Sequence, residues 1–135
     1  MVKITDNYLT NKKEFTDADI KVPDYDISTK TGATRWVHFG GGNLFRAFHA
    51  AIANRLIESG DLDSGIVVAE THDKGVVDDV YRKFNNRILR VITHEDGKFE
   101  KELFASVADA LFFLIRAIQT VGENYSRFLK TQPFN

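Results

Sequence analysis

At 135 residues the chain has room for one ordinary domain rather than two, and its 43% hydrophobic and 27% charged residues give the balance of a soluble globular protein. The formal net charge of −1 gives no electrostatic basis for binding a nucleic-acid backbone, so no nucleic-acid partner is expected. The absence of cysteine excludes a disulfide framework, a thiolate metal site and a cysteine nucleophile, and it fits a cytoplasmic protein.

Residues 1–34 are polar and weakly patterned, and we expect an arm of short helical or irregular pieces. They contain no apolar stretch of the kind a secretory signal needs. From Arg35 to Phe39 a short β-prone run ends abruptly in Gly40-Gly41-Gly42, which is a strand-to-turn signal. Asn43 is a suitable helix N-cap, and Leu44, Phe48, Ala51, Ile52 and Leu56 recur at helical spacing. Gly60 is placed to cap the other end, so the pattern predicts a helix from Asn43 to Ser59 with that face buried. Gly65 to Ala69 is apolar without alternation, as a strand covered on both faces would be, and it ends at Glu70. Trp36 to Glu70 therefore reads as a parallel β-α-β unit. Val76, Val77, Val80, Tyr81 and Phe84 predict a second, shorter helix. Arg87 to His94 and Lys98 to Val107 predict a β-hairpin turning at Asp96-Gly97. The most apolar run, Leu111 to Ile115, falls far short of the roughly 20 residues a membrane helix needs.

The glycine run carries the chemistry. Between a strand and the first turn of a helix, Gly40 permits a tight turn, and Gly42 lets the backbone approach a pyrophosphate with no Cβ in the way. Exposed N–H groups and the helix dipole favour an anion there. Phe45 stands where the usual Gly-x-Gly-x-x-Gly pattern has its third glycine, which implies a helix set slightly further from its strand. A glycine-rich turn with no ligand is the alternative. Glu70, ending the second strand, is placed to accept hydrogen bonds from adenosine ribose hydroxyls, although a solvated loop carboxylate would look the same. Arg46 sits on the first helical turn, where it could fork onto a phosphate or a substrate carboxylate, or serve as a surface or structural arginine. His38 and His49 read as packing residues, and His72 and Asp73 as loop residues. The four histidines show no paired spacing that makes a metal site.

Trp36 to Phe48, Trp-Val-His-Phe-Gly-Gly-Gly-Asn-Leu-Phe-Arg-Ala-Phe, resembles the N-terminal fingerprint of the mannitol dehydrogenase family, the long-chain polyol dehydrogenases. That pattern is Gly-x-Gly followed by an arginine in place of the third glycine, and Gly40, Gly42 and Arg46 match it. Val67 to Thr71, the hairpin through Gly97 and the polar arm resemble the fructuronate-reductase-like branch. The resemblance covers Asn7 to Leu111. It implies an α/β fold, a partial Rossmann-like domain holding NAD through Gly40, Gly41, Gly42, Asn43, Leu44, Arg46 and Glu70. It also implies an oxidoreductase interconverting a sugar alcohol or sugar acid and its keto form. In the family the catalytic lysine, with a helper asparagine and histidine, belongs to a large C-terminal helical domain, so no catalytic residue is carried over.

The organisation expected is thus an arm (1–34), a truncated cofactor-binding domain (35–111) and an atypical tail (112–135). From Phe112 the likeness stops. Permitted codons for Val121 to Asn135, read one nucleotide earlier, can encode a peptide resembling the family's Ile-Phe-x-x-Pro-x-Leu-Gln stretch, and we expect the tail to be out of frame and poorly packed. The alternative is a divergent native helix with Leu114, Ile118 and Val121 at helical spacing. With only two parallel strands specified, apolar faces are left open, and the isolated chain is expected to self-associate and to be inactive. Two other classes fit the glycine turn and the acid: an S-adenosylmethionine-dependent methyltransferase and a non-catalytic remnant.

Overall fold

The computed structural model describes residues 1–29 and 34–113. The elements in chain order are helix α1 (Lys12–Asp17), strand β1 (Ile20–Lys21), a 3-10 turn (Ile27–Thr29) and strand β2 (Val37–Phe39). A π-helical turn (Phe45–His49) then runs without a break into helix α2 (Ala50–Ser59), followed by strand β3 (Ile66–Glu70). A second π-helical segment (Val76–Tyr81) with a 3-10 turn (Arg82–Phe84) leads to strands β4 (Ile88–Thr93), β5 (Phe99–Phe104) and β6 (Val107–Phe112).

Two three-stranded sheets result. One is wholly parallel, in the order β2-β3-β6, and the other runs β1-β5-β4. β2 and β3 pair in parallel with Val37 opposite Val67 and Phe39 opposite Ala69, so the expected β-α-β unit is present. The chain is α/β and Rossmann-like, as the sequence implies. Because β3 is paired on both edges and packed on its faces, Ile66, Val68 and Ala69 are buried, which accounts for its unalternating apolar sequence. α2 ends as expected, with Gly60 in the left-handed region at φ +83°.

The buried face of this helix is displaced from the one expected. Leu44 and Phe48 are 73% and 56% exposed, whereas Ala51 is buried as expected and Phe45, Ala50, Ala53 and Ile57 are buried with it. A π turn holds one extra residue, so the stripe steps five places from Phe45 to Ala50 before the ordinary steps of three and four resume. A strict 3.6 period does not follow that slip. Asn43 does not serve as the N-cap expected of it: its side-chain oxygen accepts from Arg46 Nη2.

The hairpin forms between β4 and β5, with Thr93 opposite Phe99. Its turn is longer than a two-residue one, since His94 N–H donates to Lys98 O at 2.9 Å. Only Gly97 takes positive φ, at +80°, so Asp96 needs no such conformation. The run expected as one strand from Lys98 to Val107 breaks at Ala105-Ser106 and resumes as β6, parallel to β3, with Glu70 opposite Phe112. The sheet therefore has three parallel strands, and Phe112 is the last residue of one of them. The rest of the expected tail, from 114, lies outside the described residues.

Residues 1–29 are joined to the body. Tyr8, Phe15 and Tyr25 form a second core with Ile57, Leu103 and Ala105. Tyr8 Oη donates to Tyr25 O at 2.7 Å, Tyr25 Oη donates to Asn54 Oδ1 on α2 at 2.6 Å, and β1 adds to the edge of β5.

Candidate functional site

The glycine run turns the chain from the carboxyl end of β2 into the helix. Gly40 adopts φ +92°, a conformation L side chains rarely take, and its N–H donates to Ala69 O at 2.8 Å. A Cβ built on Gly42 would meet nothing within 4 Å, so this residue leaves open space beside the backbone, as a close ligand approach requires. Gly41 is the reverse case. Its Cβ would lie 2.8 Å from Tyr81 Cε2 and 3.1 Å from Val68 Cγ1, so Gly41 is glycine because of the protein behind it.

Gly41 is also a hub of hydrogen bonds. Its N–H donates to Glu70 Oε2 at 2.9 Å, and its carbonyl accepts from Tyr81 Oη at 2.7 Å and Arg46 Nη1 at 3.0 Å. Arg46 is thus turned back onto the loop, and among the described residues it forms no ion pair with a carboxylate. Its charge lies beside the glycines, balanced there by neutral acceptors. Glu70 is 7% exposed, and its other oxygen accepts from the N–H groups of Thr71 at 2.9 Å and His72 at 3.0 Å. The Gly41 N–H, followed by that of His72, holds the Glu70 carboxyl below the usual glutamate range against the opposing effect of burial. Glu70 is therefore an ionised, oriented acid that clasps the loop to the end of β3. His72 and Asp73 take part in the loop: His72 Nδ1 lies 2.8 Å from Thr71 Oγ1, and Asp73 Oδ1 accepts from Gly75 N–H.

Beside the loop lies a cavity of about 340 Å³, lined by Gly40, Gly42, Asn43, Leu44, His38 and His49 among others. The two imidazole rings are 4.6 Å apart, His38 Nδ1 lies 3.0 Å from Gly40 O, and His49 Nδ1 is buried without a hydrogen-bond partner among the described residues. Phe45 fills the place of the third glycine as a core residue, against His38 and Tyr81. The seven residues singled out in the sequence fall on the glycine turn, the first turn of the helix after it and the end of β3. Tyr81 was missed as a site residue, because its helical spacing marked it only as apolar packing. No sequence signal links it to the glycines 40 positions away.

No protein-family model matches the chain. It is 43% identical over 96 residues to a D-mannonate oxidoreductase of Thermotoga maritima, a match covering 68% of this chain and 18% of that protein. Among solved structures it is similar to the ternary complex of Pseudomonas fluorescens mannitol 2-dehydrogenase with NAD and D-mannitol, with TM-score 0.60 and 23% identity over 76% of this chain and 21% of that one. It is also similar to D-sorbitol dehydrogenase in substrate-free form, with TM-score 0.57 and 26% identity over 70% and 20% of the two chains. The chain spans about a fifth of the length of each.

Proposed function

We propose that this chain, a relative of the mannitol dehydrogenase family, supplies the NAD-binding part of an oxidoreductase that interconverts a sugar alcohol or aldonate and its keto form. The observation that carries the reading is the glycine turn itself. It opens from a parallel strand into a helix, has free space at Gly42, and lies between Arg46 and an ionised Glu70. On this reading a pyrophosphate would lie at Gly42 and the helix start, with Arg46 as the nearby cation, and the adenosine ribose at Glu70. Gly40, Gly42, Asn43 and Leu44 line one cavity beside the loop, and Gly41 shapes the loop rather than touching ligand.

When bound, the nicotinamide carries the hydride, and a protein acid or base must handle the proton of the hydroxyl. No residue of this chain is assigned that task. The match to a D-mannonate oxidoreductase favours a sugar acid as the substrate of the whole protein. The methyltransferase reading finds no support among the proteins matched.

Titration of the purified chain with NADH, followed by nicotinamide fluorescence, tests the proposal beside a parallel titration with S-adenosylmethionine. Saturable binding of NADH alone is expected. Binding of S-adenosylmethionine alone, or of neither, defeats it.

A further inference from the structure

The two peptide planes that flank Gly41 are each held by a buried side chain. Glu70 takes the N–H of Gly41, and Tyr81 donates to its carbonyl at 2.7 Å. Tyr81 has no exposed surface and lies so close behind the loop that even a methyl group on Gly41 would strike its ring. All peptide bonds among the described residues are trans. In a planar trans peptide the C=O and the following N–H point in opposite directions. With the Gly41 carbonyl drawn inward to Tyr81 and Arg46, the N–H of Gly42 must point outward, away from both. Among the described residues that N–H has no acceptor in the protein, and Gly42 lines the cavity whereas Gly41 does not.

We propose that Tyr81 is a positioning residue of the ligand site, fixing the Gly41–Gly42 peptide so that the Gly42 N–H is presented to a phosphate oxygen. The identity of the anion rests on the dinucleotide reading above; the orientation of the peptide does not. Three consecutive glycines have the largest conformational freedom a chain can have, and an unrestrained loop would lose that freedom only on binding. Two fixed planes remove it beforehand, which is preorganisation of an anion donor. A phenol suits the task because it must donate. Burial pushes the Tyr81 hydroxyl up to about 12, so it stays protonated at any physiological pH.

The test uses the whole chain, wild type and Tyr81→Phe, with circular dichroism to show that both fold. Amide ¹H–¹⁵N spectra follow the Gly42 N–H, and binding is measured for ADP and for adenosine, which lacks phosphate. In the wild type, ADP is expected to move the Gly42 amide further downfield than any other amide of the loop. In Tyr81→Phe the Gly42 amide shifts or broadens before ligand is added. ADP then binds roughly fivefold more weakly, the scale of one neutral hydrogen bond, while adenosine affinity is unchanged. A purely structural tyrosine would alter both ligands alike or neither. A Gly42 amide that ADP leaves in place in the wild type overturns the proposal without any variant, as does an unchanged Gly42 amide in Tyr81→Phe. Failure of the wild type to bind ADP or NADH at all defeats the dinucleotide reading instead, and the Gly42 amide in Tyr81→Phe still decides the orientation.

Discussion

Glu70 holds the site together one acceptor at a time. Its two oxygens receive the backbone N–H groups of Gly41, Thr71 and His72, which hold its carboxyl below the ordinary glutamate value. A carboxyl whose folded value is depressed contributes stability that is fully present above its unfolded value and is lost as pH falls through the folded one. Urea unfolding of the wild type should therefore show no contribution from Glu70 to the pH dependence between pH 7 and 5, and a loss below pH 4.5 that Glu70→Gln lacks. Glu70→Gln, which turns a donor toward buried N–H groups, should cost about 1–3 kcal/mol at neutral pH. On the proposed reading, the same negative charge would lie where NADP carries its 2′-phosphate. A full-length protein with this region should prefer NADH, and comparable kcat/KM values with NADPH would remove Glu70 from the ribose site.

Gly41 gives a sharper test of the loop. Gly41→Ala brings a methyl group to 2.8 Å from the buried Tyr81 ring and 3.1 Å from Val68 Cγ1, neither of which is the end of a flexible chain. Overpacking of this kind costs about 1–3 kcal/mol, so Gly41→Ala should lower the unfolding midpoint in thermal denaturation. Gly42→Ala, with nothing within 4 Å of the new Cβ, should leave that midpoint nearly unchanged and impair NADH binding only.

Among the elements, the helix after the glycines shows how much local pattern can convey. Its existence and its Gly60 cap are legible, because an apolar repeat and a terminal glycine are local features, whereas the cap expected at Asn43 is not formed. Its phase is not, because the π turn Phe45–His49 shifts the stripe and turns Phe45 against Tyr81, 36 positions away in sequence. Phe45 is one of the residues that pack the helix against the sheet, with Ala50, Ala51 and Ala53. Restoring the common third glycine with Phe45→Gly should destabilise the fold by about 3–5 kcal/mol, measured by urea denaturation, since it empties a core position. A neutral outcome would mean that Phe45 is not the packed substitute for that glycine. β6 escaped notice for a similar reason. Val107 to Phe112 has no clean alternation, and only its place beside β3 makes it a strand.

At the scale of the molecule, the parallel sheet is open along β2. Among the described residues β2 pairs only with β3, and Val37 and Phe39 are 52% and 67% exposed on it. An unpaired apolar edge is a template for another strand. The isolated chain should self-associate through this edge, seen as a concentration-dependent mass in sedimentation, and Val37→Lys should shift it toward monomer. A wild-type chain that stays monomeric at high concentration would show that the edge is covered. No turnover of mannitol, fructose or hexuronates is expected from the isolated chain, and a robust rate from purified monomer would overturn the assignment of the catalytic group to another part of the protein.

What the sequence by itself determined is the β-α-β unit, the hairpin and the place of the glycine turn beside Glu70, because each is written in residues next to one another: glycines after a strand, an apolar repeat, an acid ending a second strand. Tertiary structure alone decided which face of the helix is buried, that residues 1–29 supply Tyr8, Phe15 and Tyr25 to a second core, and that Tyr81 stands behind Gly41. These depend on contacts between residues tens of positions apart. Such contacts are set by how the elements fill space together, and no local pattern of residues encodes them.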